Sequence, residues 1–249
     1  MSADPAAAGG AAGRALLPSV DSTNAEGLRR AATGAALPLW ILAAEQTAGR
    51  GRRARPWASP PGNFYGSLVM RLAEPPAQVA LRSFVTSLAL RDALVALAGL
   101  PQAFALKWPN DVLLNGGKLS GILLEASGDV LCIGIGVNLV GAPPPEAVEP
   151  GAVPPVSILG ETGLRITPER FLDALAPAFA AREAAFRAGG FPALRADWLA
   201  DAARLGERIT ARTGTQTREG IFETVDAEGN LVLRMAAGPV AIPAAEVFF

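Results

Sequence analysis

Four arginines crowd into Gly49-Arg50-Gly51-Arg52-Arg53-Ala54-Arg55-Pro56-Trp57. Their guanidiniums repel one another unless anionic groups sit among them, and arginine forks suit carboxylate and phosphate oxygens. The glycines at 49 and 51 let backbone amides approach such an anion closely. A second group is Lys107-Trp108-Pro109-Asn110-Asp111, a lysine at a predicted strand end, held by an aromatic and a proline, with a carboxylate four residues on. Sites in α/β sheets gather where strand ends open into loops. Lys118 stands just past the turn Asn115-Gly116, and Gly134 and Gly136 clear one face of one strand, where a ligand or another backbone comes close. Ser22-Thr23-Asn24 offers hydroxyls and an amide at the start of a helix.

Each group also has a plainer reading. These are a solvated basic loop, a strand terminus with a turn, an exposed strand-edge lysine and a helix cap. The paired glycines are not a phosphate loop, because no helix follows and the spacing differs. Cys132 lies in an apolar strand and reads as a core residue.

The elements that must position these residues follow from pattern. Thr23 and Glu26 fit a capping box opening a helix that runs to about Thr33, where Gly34 stops it. Residues 39–44 read as a strand, 46–62 as a Gly/Arg/Pro-rich loop and 64–72 as a strand. Residues 78–97, apolar on nearly every face, predict one buried helix. Strands are predicted over 104–108, 111–114, 118–125 and 130–140, with Asn115-Gly116 as a hairpin turn and Pro109 biasing Trp108 toward an extended form. An irregular Pro-rich stretch covers 141–155. Thr167 and Pro168 open a further helix that Pro177 should kink or split, and a last helix spans about 191–203. Four short strands at 208–211, 220–224, 231–235 and 240–243 suggest a compact β-barrel. The organisation expected is a flexible segment over 1–20, a catalytic domain over 21–204 and a small barrel domain over 205–249.

Composition narrows the chemistry. The chain has 249 residues, half of them hydrophobic, which is ample for a packed core. With no histidine, a Ser-His-Asp or Cys-His nucleophile and any His-ligated metal are ruled out. One cysteine excludes internal disulfides and cysteine zinc sites. Net charge −1 gives no general electrostatic case for DNA as a partner. Neither a signal peptide nor a membrane span is evident, so the cytoplasm is the expected location.

Taken in order, these segments resemble the biotin–protein ligase family. The matching words are Asp21-Ser22-Thr23-Asn24, Glu45 through Arg53, Lys107 through Asp111, Lys118-Leu119-Ser120-Gly121-Ile122-Leu123 and Gly134 through Asn138. Any one is weak, but five in register are highly specific. The resemblance implies an α+β fold: a mixed-sheet catalytic domain related to lipoate ligases, followed by a small SH3-like barrel. It implies that Ser22, Thr23, Asn24, Gln46, Gly49, Arg50, Gly51, Arg52, Lys118, Gly121, Gly134 and Gly136 surround biotin. It further implies that Arg50, Arg52, Arg53, Arg55, Trp57, Lys107, Asn110, Lys118 and Asn138 surround ATP and the adenylate. Lys118, Lys107, Asp111 and Arg52 would carry the catalysis.

The implied substrates are biotin and ATP with Mg2+, the acceptor a lysine of a biotin carboxyl carrier protein, and the assembly a homodimer. For Asp111, the roles of base for the acceptor amine, water-mediated contact and metal bridge are all open. The arginine loop is expected to be mobile without ligand and to order over the adenylate. The family usually carries glycine where this chain has Ala54. About twenty residues precede Asp21, too few for the winged-helix domain of members that repress transcription. The competing readings are a lipoate or octanoate ligase, a biotin-responsive DNA-binding regulator and a biotin-sensing protein without catalysis.

Overall fold

A computed structural model of the chain describes residues 12–72 and 74–249. Seven apolar or alternating segments pair into one large sheet: Gly13–Leu17 (β1), Leu39–Ala43 (β2), Phe64–Arg71 (β3), Phe104–Lys107 (β4), Asp111–Leu114 (β5), Gly117–Ser127 (β6) and Val130–Val137 (β7). Their spatial order is β1-β2-β3-β7-β6-β5-β4. Only β1 and β2 run parallel, so the sheet is mixed, as expected. Strands β3 and β7 are buried almost throughout because both sheet faces are covered. On one face, Thr23–Ala32 (α1) lays Ala31 against Ile41, Val69, Val130 and Cys132. The other face carries the main core, including Trp40, Leu68, Ile133 and Ile135.

That core is completed by helices: Pro76–Ala80 (α2), Arg82–Ala98 (α3), Ile158–Thr162 (α4), Pro168–Gly189 (α5) and Pro192–Ala200 (α6). The single helix predicted over 78–97 is therefore two, separated at Leu81, whose N–H bonds back to Gln78 O in a tightened turn. Pro177 does not split α5, which is continuous with Pro177 inside. Thr167 caps it as predicted, accepting from Arg170 N. Helix α4, which Ser157 caps, was not predicted, because it lies just beyond the Pro-rich stretch and is only five residues long. No helix among the described residues is long and apolar enough to cross a membrane.

The expectation of a flexible segment over 1–20 needs correction. Residues 1–11 lie outside the described residues, but Gly13–Leu17 is a strand in register with β2, Gly13 opposite Leu39 and Leu17 opposite Ala43. Ala15 and Leu17 pack against the small core under α1. An edge strand buried on one side only gives a weak sequence pattern, and the Ala/Gly-rich run before it hides that pattern further.

A separate antiparallel sheet follows: Arg208–Arg212 (β8), Thr217–Val225 (β9), Leu231–Met235 (β10), Gly238–Ile242 (β11) and Glu246–Phe248 (β12), in the order β11-β10-β9-β8-β12. The fifth strand, β12, is three residues long and was missed. Among the contacts that fasten this unit to the larger one are two hydrogen bonds. Trp108 Nε1 donates to Gly229 O at 3.0 Å, and Arg195 on α6 donates to Thr224 Oγ1 at 2.9 Å. The Lys-Trp-Pro-Asn-Asp segment thus has a structural tryptophan between its two charged residues.

Candidate active site

One face of the large sheet holds a neutral, hydroxyl-rich corner at the start of α1. Ser22, not Thr23, caps this helix, its Oγ accepting from Ala25 N–H, while Glu26 is taken by Arg29 and Arg30. The predicted capping box is therefore absent, and Thr23 faces elsewhere. Its N–H donates to Gln46 Oε1 at 2.9 Å, and its hydroxyl lies 2.7 Å from Ser67 Oγ on β3. Asn24 Nδ2 donates to Glu125 Oε2 on β6 at 2.8 Å.

The glycines of β7 serve this corner indirectly. A Cβ on Gly134 would stand 2.7 Å from Asn24 Oδ1, and one on Gly136 would stand 2.5 Å from the Trp57 ring. Gly121 on β6 lies under the same ring, a Cβ there meeting it at 3.0 Å. The sequence suggested that Gly134 and Gly136 clear room for a ligand or another backbone; the atoms nearest them are instead side chains, those of Asn24 and Trp57.

The charged corner lies at the β4–β6 side. Register places Lys107 opposite Asp111 and Asp111 opposite Gly121, so the carboxylate sits between two lysines. Lys118 Nζ is 2.8 Å from Asp111 Oδ1, and Lys107 Nζ is 3.7 Å from Oδ2. Burial alone would raise the Asp111 carboxyl's pKa, but the charges of Lys118, Lys107 and Arg52 outweigh it and hold the group below the usual carboxylate range. Burial pushes Lys107 down, with Asp111 opposing and the like charge of Lys118 adding to the shift. Burial also lowers Arg52, whose guanidinium donates to Asn110 Oδ1 at 3.4 Å. Asn138 supports the wall, its Nδ2 donating to Val156 O in a segment that runs beside Lys118.

The arginine loop bridges the corners, and its repulsion is relieved by acids far away in sequence. Arg50 grips Glu125, its Nε 3.2 Å and its Nη2 3.1 Å from Oε1. Arg53 and Arg55 reach Glu246 on β12 at 2.9 and 2.6 Å. Arg55 also meets Glu149 at 2.9 Å, and Arg212 joins both acids. The small C-terminal sheet therefore holds the loop down. Arg53 and Ala54 both have φ near 57°, a left-handed conformation that costs a side-chain-bearing residue roughly 1–2 kcal/mol. This is the physical sense of a glycine at position 54.

Glu246→Ala is expected to leave three arginines without their shared acid and to make the chain cut faster after Arg52 and Arg53 in limited trypsin digestion, by about fivefold or more; Arg55 precedes Pro56 and is not a trypsin site. Unchanged cutting would mean that the ion pairs do not hold the loop.

Between the corners lies a cavity of about 1170 Å³, and every residue expected at the site except Arg53 lines it. Sequence reasoning missed the residues that support it. Ser67 lies in a continuous apolar strand, and Glu125 closes the Lys118 strand as an ordinary edge acid. Glu149 and Glu246 sit in segments with no motif.

The chain is 56% identical over 239 residues to the biotin–[acetyl-CoA-carboxylase] ligase of Paracoccus denitrificans, covering 94% of this chain and 99% of that protein. The chain belongs to the biotin protein ligase family. Residues 16–139 match the Biotin/lipoate A/B protein ligase family, and residues 205–249 match the biotin protein ligase C terminal domain. The second match assigns the small sheet to the family's SH3-like unit. A biotin–[acetyl-CoA-carboxylase] ligase of Mycobacterium tuberculosis is 36% identical, over 91% of this chain and 85% of its own length. The solved biotin protein ligase of Aquifex aeolicus, in complex with biotin and ATP, superposes with a TM-score of 0.82 at 26% identity, covering 94% of this chain and 97% of that one. The biotin protein ligase fold thus carries the cavity described above.

Proposed function

We propose that the chain is an ATP-dependent biotin–protein ligase that forms biotinyl-5′-AMP and passes the biotinyl group to a carrier lysine of acetyl-CoA carboxylase. The observation that carries this reading is the two-ended cavity. Its neutral corner lies over β3 and β7, and its cationic corner lies over β6, β5 and β4. From β3 to β5 is three strand steps, roughly 14 Å at the usual spacing. That span suits a ligand with a polar ring at one end and a carboxylate at the other. Ser22, Thr23, Asn24 and Gln46 take the ring; Lys118, Lys107 and Arg52 take the carboxylate and the α-phosphate.

The first step joins a biotin carboxylate oxygen to the α-phosphorus and releases pyrophosphate. In the second, a lysine amine attacks the acyl carbon, AMP leaves, and the amine proton must be removed. Neither step needs an enzyme nucleophile. The chain's contribution is alignment and stabilisation of the charge on reacting oxygens. Asp111, clasped by Lys107 and Lys118, sets the positions of both ammonium groups. No cluster of three or more metal-ligating side chains occurs among the described residues, and Asp111 is already engaged by the lysines. Magnesium at ATP sites is held by substrate phosphates with one or two carboxylates, so in this reading it would come with the triphosphate. The requirement for ATP and a carboxylase acceptor fits work in the cytoplasm.

ATP–pyrophosphate exchange run in parallel with biotin, lipoate and octanoate tests the assignment. Only biotin is expected to support exchange; a faster rate with lipoate would overturn the choice of substrate.

A further inference from the structure

Behind the neutral corner, a second layer fixes which cavity atoms give hydrogen bonds and which accept them. Glu125 can only accept, and it takes one Asn24 Nδ2 hydrogen at 2.8 Å while Leu123 O takes the other at 3.3 Å. Asn24 Oδ1 must then face Ser67, whose Oγ is 2.6 Å away. An oxygen–oxygen contact that short needs a proton in it, and only Ser67 has one to give. Ser67 is left with lone pairs alone, so its 2.7 Å contact with Thr23 requires Thr23 to be the donor.

The single Thr23 hydroxyl proton is thereby committed inward. Its 3.2 Å approach to Gln46 Oε1 carries no proton, and that oxygen is held by the Thr23 N–H instead. The opposite arrangement would leave Ser67 Oγ and Asn24 Oδ1 in contact with no hydrogen between them. Gln46 is oriented in the same manner: Nε2 gives one hydrogen to Ser59 Oγ at 3.3 Å, and Ser59 gives its own to Trp57 O at 3.1 Å. The cavity therefore meets lone pairs at Thr23 and a spare N–H at Gln46.

We propose that Ser67 and Glu125 are positioning residues that set the polarity of the ring subsite. They make Thr23 an obligate acceptor and so select a ligand that presents an N–H there, as a cyclic urea does. The proposal rests on the biotin reading above. Neither residue lines the cavity, and Ser67 is fully buried, so both act through Asn24 and Thr23. The grip of Arg50 on Glu125 holds that carboxylate in place.

The test is exchange by the full-length protein with biotin and with its two carbamate analogues, in which one or the other ureido N–H is replaced by a ring oxygen. The unaltered protein is expected to reject the analogue whose oxygen meets Thr23 by on the order of a hundredfold in kcat/KM. In Ser67→Ala the Thr23 proton is free to turn toward the cavity. KM for biotin should then rise about tenfold, with kcat held within about threefold, and discrimination should fall about tenfold. Glu125→Gln lets the Asn24 amide turn over and should move discrimination the same way, which covers the case of an alanine variant that does not fold. Discrimination that stays unchanged in the folded variant, even with a raised KM, overturns the proposal, since a purely structural role would raise KM alone. Exchange by the unaltered protein with lipoate instead of biotin would overturn the underlying substrate reading, and the same assay distinguishes the two failures.

Discussion

Lys118→Ala is expected to slow biotin-dependent pyrophosphate exchange by about thirty- to a thousandfold, because a charge-assisted hydrogen bond to the reacting phosphate is worth roughly 2–4 kcal/mol in the transition state. The lysine is held from several sides. Its backbone N–H donates to Pro154 O at 2.8 Å and its carbonyl accepts from Val156 N at 3.0 Å. Its ammonium meets Asp111 and lies 5.9 Å from the centre of the Trp57 ring. None of the backbone contacts needs the side chain, and the side chain is about one-third exposed (31%). The variant should therefore fold, with circular dichroism close to that of the unaltered protein and a lower melting temperature, because Asp111 loses its nearest cation while keeping Lys107. Near-normal exchange in such a folded variant would return Lys118 to the plain reading of a strand-edge lysine.

Asp111→Asn is expected to cost about 3–5 kcal/mol of stability near neutral pH, the usual scale for removing one partner from a buried ion pair. Lys107 and Lys118 would then face each other and Arg52 with only the weaker influence of Glu246 as counter-charge. The sign with pH follows from the lysine. Burial already lowers the pKa of Lys107, and Asp111 is the main opposing influence. Without it that pKa falls further, while the unfolded lysine keeps its proton up to about pH 10. Between those limits the unfolded state binds more protons, so the variant regains stability as pH rises. In the unaltered protein, the depressed Asp111 pKa supplies stability that is present above about pH 4 and lost as pH falls through the folded value. Urea denaturation of both proteins from about pH 6 to about 9.5 reads the Lys107 effect directly. A gap between the two proteins that stays constant or widens with pH would contradict the arrangement.

The parts of the site that the sequence disclosed are those in which residue type and local spacing act together. The Asn115-Gly116 turn fixed the β5–β6 hairpin because both residues take positive φ, 49° and 83°. That hairpin brings Lys118 to Asp111 and makes the charged corner legible. The arginine loop was legible as a site, whereas its partners were not. Glu125, Glu149 and Glu246 stand 75, 94 and 191–193 positions away from the arginines they meet, and no local pattern reports such pairings. The same limit hid Ser67, which only the pairing of β3 with β7 and the docking of α1 bring beside Asn24. At Ser22-Thr23 the spacing with Glu26 suggested the wrong cap. Two adjacent hydroxyls compete for that role, and the tertiary bond from the Thr23 N–H to Gln46 decides it. β1 and β12 were missed for a shared reason: short edge strands carry little alternation.

One cavity both activates biotin and delivers it to a protein lysine in the function proposed above. The most direct test of that function is a single incubation of the protein with ATP, biotin and a biotin carboxyl carrier domain of acetyl-CoA carboxylase, followed by intact-mass and peptide analysis of the carrier. One biotinyl group on one lysine is expected, formed only when ATP is present and accompanied by stoichiometric AMP. An unmodified carrier, with the adenylate formed and then lost to water, would contradict that function.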